Sequence, residues 1–391
     1  MNDIVIIGGG HAGAQLCIQL AAEGLRGQTR LVCEEPQLPY QRPPLSKHFL
    51  KSMAETVQRQ RDTAWFAAQS IETYLGDPVE RIDRDVRCVT LASGRVLSYG
   101  HLVLATGIRP RTLSWLPPTL QNVTVLRSAA DASRLRERLH LLLTADRPLT
   151  VLGGGFIGLE VAASARLMGL DVRIIEAGPR LLNRSVSPRL AEFVLAHHQA
   201  AGIEVHLNST VSNPKISDEH LVGWHLNGHF ETIDELLCGI GGMPETGLAE
   251  LAGLEVDDGI LVDQQMRTSD PRILAIGDCA RMSLLSDTGE GHGLRLESVQ
   301  NAVDQAKIAA TFLAGRAQPD ETVPVFWSGQ GDLRVQIAGL LPPIDYETVL
   351  HPGKNQSAFS LFHYTAGGLR CVESVNSPGD HLHAKKLLAE R

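Results

Sequence analysis

The sequence predicts an α/β protein built on two parallel-sheet units. Two observations point there. A short apolar run, a glycine-rich turn and a helix-like stretch occur in "IVIIGGGHAGAQ" from Ile4, and again in "VLGGGFIGLEVAASARLMGLDVRIIEAG" from Val151. Each is followed by a second apolar run that ends on an acid. With 391 residues, 43% of them hydrophobic and 20% charged, the chain has room for two or three globular domains.

No run of about 18 apolar residues predicts a membrane span. The N-terminus enters strand-like Ile4–Ile7 directly, without the pattern of a secretory signal. The six cysteines, at 17, 33, 88, 238, 279 and 371, form no CxxC pair or regular framework. They read as thiols of a reducing cytoplasm, not as disulfides or zinc ligands. The histidines show no HExxH or Cys/His ligand spacing, so no metal site is expected. A formal charge of -8 disfavours bulk attraction to nucleic acid.

In the first unit Ile4–Ile7 read as a buried strand, and Gly8, Gly10 and Gly13 fit GxGxxG. The first glycine permits the tight turn, the second admits a pyrophosphate, and the third lets the helix lie close to the strand. The helix N-terminus then offers free N–H groups to phosphate. Thr29–Cys33 form the next strand, and a carboxylate at its end reads ribose hydroxyls; Glu35 is favoured, with Glu34 second.

The second unit repeats this order. Leu149–Leu152 lead into Gly153, Gly155, Phe156, Ile157 and Gly158. Gly169 stops the helix, and Val172–Ile175 end at Glu176. An acid there favours the free ribose of NADH over the phosphorylated ribose of NADPH, although Arg180 lies four residues on. Two units invite two dinucleotides, and the economical pair is FAD and NAD(P)H, between whose rings hydride can pass. Two further short motifs support the flavin. "LVLATGIRPR" ends a strand at Ala105-Thr106-Gly107, and "DPRILAIGDCA" places Asp278 at a strand end, within reach of a ribityl chain.

Assembled, the chain resembles the two-dinucleotide-fold flavoprotein reductases. More narrowly, it resembles the ferredoxin, putidaredoxin and rubredoxin reductases of bacterial oxygenase systems. The segments "PYQRPPLSKHFL", "LATGIRPR", "GGGFIGLEVAA", "MRTSDPRILAIGDCA", "RLESVQNAVDQAKIAA", "VPVFWSGQGDLRVQIAGL" and "CVESVNSPGDHLHAKKLL" carry the likeness from Ile4 to Leu388. It implies a glutathione-reductase-like architecture. A discontinuous FAD domain would occupy 1–110 and 238–317, and an NAD domain 111–237. A small α+β C-terminal domain, 318–391, would cover the flavin. "RPRTLSWLPP" and "TADRP" read as junction loops.

The resemblance also implies roles for single residues. Lys47 and Glu160 would pair near the flavin N5 and the nicotinamide, and hold charge during reduction. Taken alone, they read as a solvated lysine and an exposed helix residue. Arg42 and Arg109 would approach the FAD phosphates. The helix opening at Glu297, Ser298 and Val299 would face the flavin's pyrimidine edge, and Trp327 would lie beside the isoalloxazine. One departure stands out. Relatives commonly carry an acid after "FWS", whereas this chain has Gly329, with Gly331 soon after.

No activated dithiol lies near Arg42–Leu50, which disfavours a thiol outlet. The expected outlet is one-electron transfer to a 2Fe-2S ferredoxin, or a rubredoxin, feeding a Rieske-type or P450 oxygenase. Arg42, Lys47, Lys51, Arg109, Arg111 and Arg295 are candidate docking charges. The alternatives are a monodehydroascorbate- or quinone-type reductase of a small acceptor, and an NADH-sensing flavoprotein. A cytoplasmic monomer or homodimer is expected.

Overall fold

The computed structural model describes residues 3–282, 293–320, 322–343, 345–354 and 357–390. They form two compact units. The first is Met1–Gln41, Gln58–Arg109 and Met243–Thr322, and the second is Arg42–Val57, Pro110–Gly242 and Val323–Arg391.

The first unit centres on a parallel sheet in the order Ile273–Ala275, His101–Leu104, Ile4–Ile7, Thr29–Cys33, Glu72–Leu75. Ile4 pairs with both Thr29 and His101, so neighbouring strand ends lie level. The central strands are buried on both faces, as the unbroken apolar runs require. Helix His11–Ala22 buries Leu16, Cys17 and Leu20. It packs against helix Val299–Leu313, whose buried face is built from Ala302, Ala306, Ala309 and Ala310. Side chains this small let two helices approach closely.

The second unit repeats the parallel sheet in the order Glu204–His206, Val172–Ile175, Leu149–Leu152, Glu235–Cys238, Val123–Thr124. Leu149 pairs with Val172 and Glu235, the same level register. Helix Ala129–Ala145 opens on a capping box between Ser128 and Asp131. The same unit holds a five-stranded antiparallel sheet in the order Val325–Gln330, Leu333–Gly339, Gly368–Val375, Phe359–Thr365, Glu347–Pro352. The closing helix Pro378–Ala389 packs on the two strands Leu333–Gly339 and Gly368–Val375.

Two local outcomes differ from the sequence reading. "TADRP" joins helix Ala129–Ala145 to strand Leu149–Leu152 inside one unit, with Asp146 left-handed at the helix end (φ 53°). Strand Glu235–Cys238 is hydrogen-bonded into the second sheet, so that unit runs on to Gly242. Its core groups residues 42–57, 110–242 and 323–391 together. No helix among the described residues is long and apolar enough to cross a membrane.

Candidate functional site

The two glycine-rich turns are near copies in space. Gly8 has φ +113° and Gly153 has φ +106°, which side chains rarely adopt. A Cβ on Gly8 would lie 2.2 Å from the Ala105 carbonyl oxygen, and one on Gly153 would lie 2.3 Å from that of Gly239. At the third position, a Cβ on Gly13 would meet Gly8 O at 2.0 Å, and one on Gly158 would meet Gly153 O at 2.3 Å. The fold itself therefore demands the first and third glycines. The middle glycines are different. Gly10 and Gly155 have ordinary negative φ, and a Cβ on either would meet nothing within 4 Å. Each also starts its helix without a side-chain cap or an acid in the first turn. The result is an open cradle over uncapped helix N–H groups, as a pyrophosphate requires.

Around the first turn, Gly277 has φ +79°, and its Cβ would sit 2.9 Å from Ala12 Cβ, which places Asp278 at the start of the first helix. The Gly277 N–H donates to Gln305 Oε1 (2.7 Å). The Ala105–Gly107 turn is tied down by Thr106 Oγ1 donating to Glu245 O (2.7 Å) and by Glu245 N–H donating to Gly107 O (2.8 Å). Glu35 is half-buried and accepts from the Tyr40 hydroxyl (2.6 Å), whereas Glu34 is exposed. Gly8, Gly10, Gly13, Glu35, Ala105, Thr106, Gly107 and Asp278 thus gather at one end of one sheet.

Around the second turn, Glu176 accepts from Gly154 N–H (2.7 Å) through Oε2 and from Gly178 N–H (2.6 Å) through Oε1. The carboxylate is held at the mouth of the turn with lone pairs remaining. Gly239–Gly241 takes here the place that Ala105–Gly107 takes in the first unit. Sequence reasoning passed over it, although "LLCGIGG" follows its strand as "LVLATGI" follows the other. The Phe156 ring packs on Phe326 at 4.3 Å, while Ile157 is exposed.

Lys47 and Glu160 come together. Lys47 Nζ lies 2.6 Å from Glu160 Oε2, and also donates to Pro43 O (3.0 Å). Glu160 is only 4% exposed, so the solvated-helix reading fails for it. It accepts further bonds from Ser46 Oγ (2.5 Å) on Oε2 and Ser328 Oγ (2.7 Å) on Oε1. Three donors on one carboxylate balance the cost of burying it. The Lys47 side chain keeps 27% of its surface exposed. A Cβ on Gly329 would lie 3.6 Å from Lys47 Cε, so the missing acid is missing from beside this ammonium.

The remaining candidates are placed as follows. Arg42 belongs to the second unit and donates to the Arg127 carbonyl (2.7 Å). Arg109 pairs with Glu245 (2.9 Å) in an exposed setting. Ser298 caps helix Val299–Leu313 by accepting from Asn301 N–H (3.0 Å), and Val299 opens that helix. Glu297 pairs with Arg295 (2.6 Å), whose side chain is 11% exposed and also donates to Asp278 O (3.2 Å). Arg295 therefore presents little charge to solvent, whereas Lys51 and Arg111 are exposed. Trp327 stands 40% exposed on its strand. Burial pushes the thiols of Cys17, Cys238, Cys279 and Cys371 above the usual range, the opposite of an activated thiolate. No cluster of metal-ligating side chains forms among the described residues.

Such a fold, with two cradles and two acids, defines a dinucleotide-dependent oxidoreductase. The chain belongs to the pyridine nucleotide-disulphide oxidoreductase family, whose profile matches residues 2–306. Residues 325–391 match the reductase C-terminal family. It is 41% identical over 388 residues to rhodocoxin reductase of Rhodococcus erythropolis, covering 99% of this chain and 89% of that one. It is 38% identical over 378 residues to rubredoxin-NAD(+) reductase of Pseudomonas putida, covering 96% of each. Among solved structures, the covalent putidaredoxin reductase–putidaredoxin complex superposes with a TM-score of 0.92 at 36% identity, covering 100% of this chain and 93% of that one.

Proposed function

We propose that the chain is an FAD-containing NADH:ferredoxin reductase, which takes hydride from NADH and passes single electrons to a 2Fe-2S ferredoxin or a rubredoxin serving an oxygenase. The observation that carries this reading is the pair of middle glycines, Gly10 and Gly155, which the fold leaves open in both turns. Bound flavin supplies the conversion of a two-electron donor into one-electron steps. The chain's own residues bind, orient and hold charge. The first unit, with Gly8, Gly10, Gly13, Glu35, Ala105–Gly107, Arg109, Asp278 and Glu297–Val299, would hold FAD. Residues 110–242, with Gly153, Gly155, Phe156, Ile157, Gly158 and Glu176, would hold NADH. Lys47 and Glu160 would serve the rings, and Arg42 and Trp327 would line the flavin. Four buried thiols are raised above the usual range and all six cysteines are free, which disfavours a dithiol outlet and, together with the relatives' protein acceptors, favours direct transfer to a carrier. A reducing cytoplasm suits these thiols.

The test is NADH turnover by the purified flavoprotein, with a 2Fe-2S ferredoxin relaying electrons to cytochrome c. Strong dependence on ferredoxin supports the reading. Flavin reduced by NADH without flow through either a 2Fe-2S ferredoxin or a rubredoxin sinks it and favours a small acceptor. If docking is electrostatic, the ferredoxin-dependent rate falls several-fold as salt rises to physiological strength, where the screening length is roughly 8 Å. A salt-independent rate removes Lys51, Arg109 and Arg111 as docking charges.

Glu176→Ala is expected to narrow the kcat/KM preference for NADH over NADPH by about ten-fold, the worth of a charge-assisted bond to ribose. An unchanged ratio means that the carboxylate only braces Gly154 and Gly178.

A further inference from the structure

Beyond Glu160 a line of buried polar groups continues away from Lys47. Ser328 Oγ donates to Glu160 Oε1 (2.7 Å), Gln330 Nε2 donates to Ser328 Oγ (3.2 Å), and His198 Nε2 lies 2.8 Å from Gln330 Oε1. Ser328 and Gln330 are each 1% exposed, as is His198. The two residues sit two apart on strand Val325–Gln330, so they share its inner face. His198 lies on helix Pro188–Ala200 and helps line a cavity of about 360 Å³ together with His197, Arg166, Gly331 and Asp332. Within that wall, His197 is paired with Asp332 (3.1 Å), and Arg166 donates to Asp171 (3.1 Å).

The direction of every bond in this line follows from its first member. An ionised carboxylate only accepts, so the Ser328 hydroxyl must donate to it. Ser328 then has only lone pairs left for Gln330, which must offer its amide N–H. That turns the Gln330 carbonyl toward His198, which must carry its proton on Nε2. Burial, opposed by the Gln330 bond and aided by His197, holds His198 below the usual imidazole range, so the ring is neutral with Nδ1 bare.

We infer that Ser328, Gln330 and His198 are positioning residues, a one-directional donor chain that fixes the Glu160 carboxylate against Lys47. The inference rests on the reading that Lys47 and Glu160 serve hydride transfer. In such a chain each bond polarises the next, so the grip on Glu160 weakens in proportion to how near the break falls.

The test uses the holoenzyme. Anaerobic flavin reduction by NADH is expected to slow about ten-fold in Ser328→Ala and about three-fold in Gln330→Met, with the Kd for NADH within about two-fold of the parent and Ser328→Thr restoring the rate. Nitrogen-15 NMR of labelled histidine supplies a readout apart from activity. His198 is expected as the neutral Nε2–H form in the parent. In Glu160→Gln it is expected as a mixture of tautomers, because an amide at 160 no longer forces Ser328 to donate. A parent His198 carrying its proton on Nδ1 overturns the chain. So do rates that track thermal stability across the variants instead of distance from Glu160, and so does failure of Ser328→Thr to rescue. If Glu160→Gln alters the His198 signal yet leaves flavin reduction untouched, the chain stands as geometry, and the role of Glu160 in hydride transfer falls.

Discussion

A Gly155→Val variant is expected to fold like the parent and to lose its response to NADH. The backbone at Gly155 has φ -82° and ψ 175°, an extended conformation that a β-branched residue adopts without strain. A Cβ there meets no protein atom within 4 Å, so the fold has nothing to lose. A pyrophosphate lying over the uncapped helix start would collide with the new methyl groups. The expected outcome is a rise in KM for NADH of about 100-fold or more, with an unchanged melting temperature and full flavin content. Gly10→Val is the mirror experiment, expected to give a folded, colourless protein. Gly13→Ala sets the contrast, because its Cβ would lie 2.0 Å from Gly8 O and must displace backbone. That variant is expected to lose about 1–3 kcal/mol of stability or more. Melting curves and flavin absorbance of the three proteins separate glycines kept for the fold from those kept for a ligand. If Gly155→Val binds NADH normally, the second cradle does not hold the nucleotide.

The same contrast explains how much was legible. Strand, turn, helix and acid follow one another within about 30 residues, and local order of this kind is written directly in sequence. Ile4–Ile7, Thr29–Cys33, Leu149–Leu152 and Val172–Ile175 form as read. The parts that escaped depend on contacts between distant segments. Glu235–Cys238 belongs to the second sheet because it pairs beside Leu149–Leu152, a partner more than 80 residues away that only the echo of "LVLATGI" in "LLCGIGG" hints at. "TADRP" has the composition of a linker, yet the helix before it and the strand after it share one core. Turn residues mark a change of direction and do not say whether a domain ends there.

The polar cluster shows the limit most plainly. Lys47 and Glu160 were paired by resemblance, not by periodicity. Taken singly, Ser46, Ser328 and Gln330 carry no sequence signal, because serine and glutamine are ordinary surface residues in most contexts, and His198, adjacent to His197 on a helix, reads as a surface or structural histidine. One signal was available. In "VFWSGQ", Ser328 and Gln330 occupy alternate positions, on the strand face they share with the half-buried Phe326. Two polar residues on a buried face need partners, and a buried carboxylate is among the few groups that repay them. His197 and His198, adjacent on one helix, divide as adjacency demands, one half-buried and one enclosed.

Glu160→Ala is expected to damage both stability and flavin reduction. Removing the carboxylate leaves the Ser46 and Ser328 hydroxyls buried without their acceptor, and leaves the Lys47 ammonium with Pro43 O as its strong remaining partner. Each orphaned buried donor costs about 1–3 kcal/mol, and the ammonium costs less because part of it reaches solvent. A total loss of about 2–6 kcal/mol is expected by denaturant melting. Flavin reduction by NADH is expected to slow about 100-fold, since the ammonium loses the carboxylate that fixes its position. Adding Ser328→Ala to Glu160→Ala removes one of the orphans. The double variant is therefore expected to be more stable than the sum of the two single losses predicts, by about 1 kcal/mol. Strict additivity would mean that the Ser328–Glu160 bond carries no coupling, and that the carboxylate is held by Lys47 and Ser46 alone.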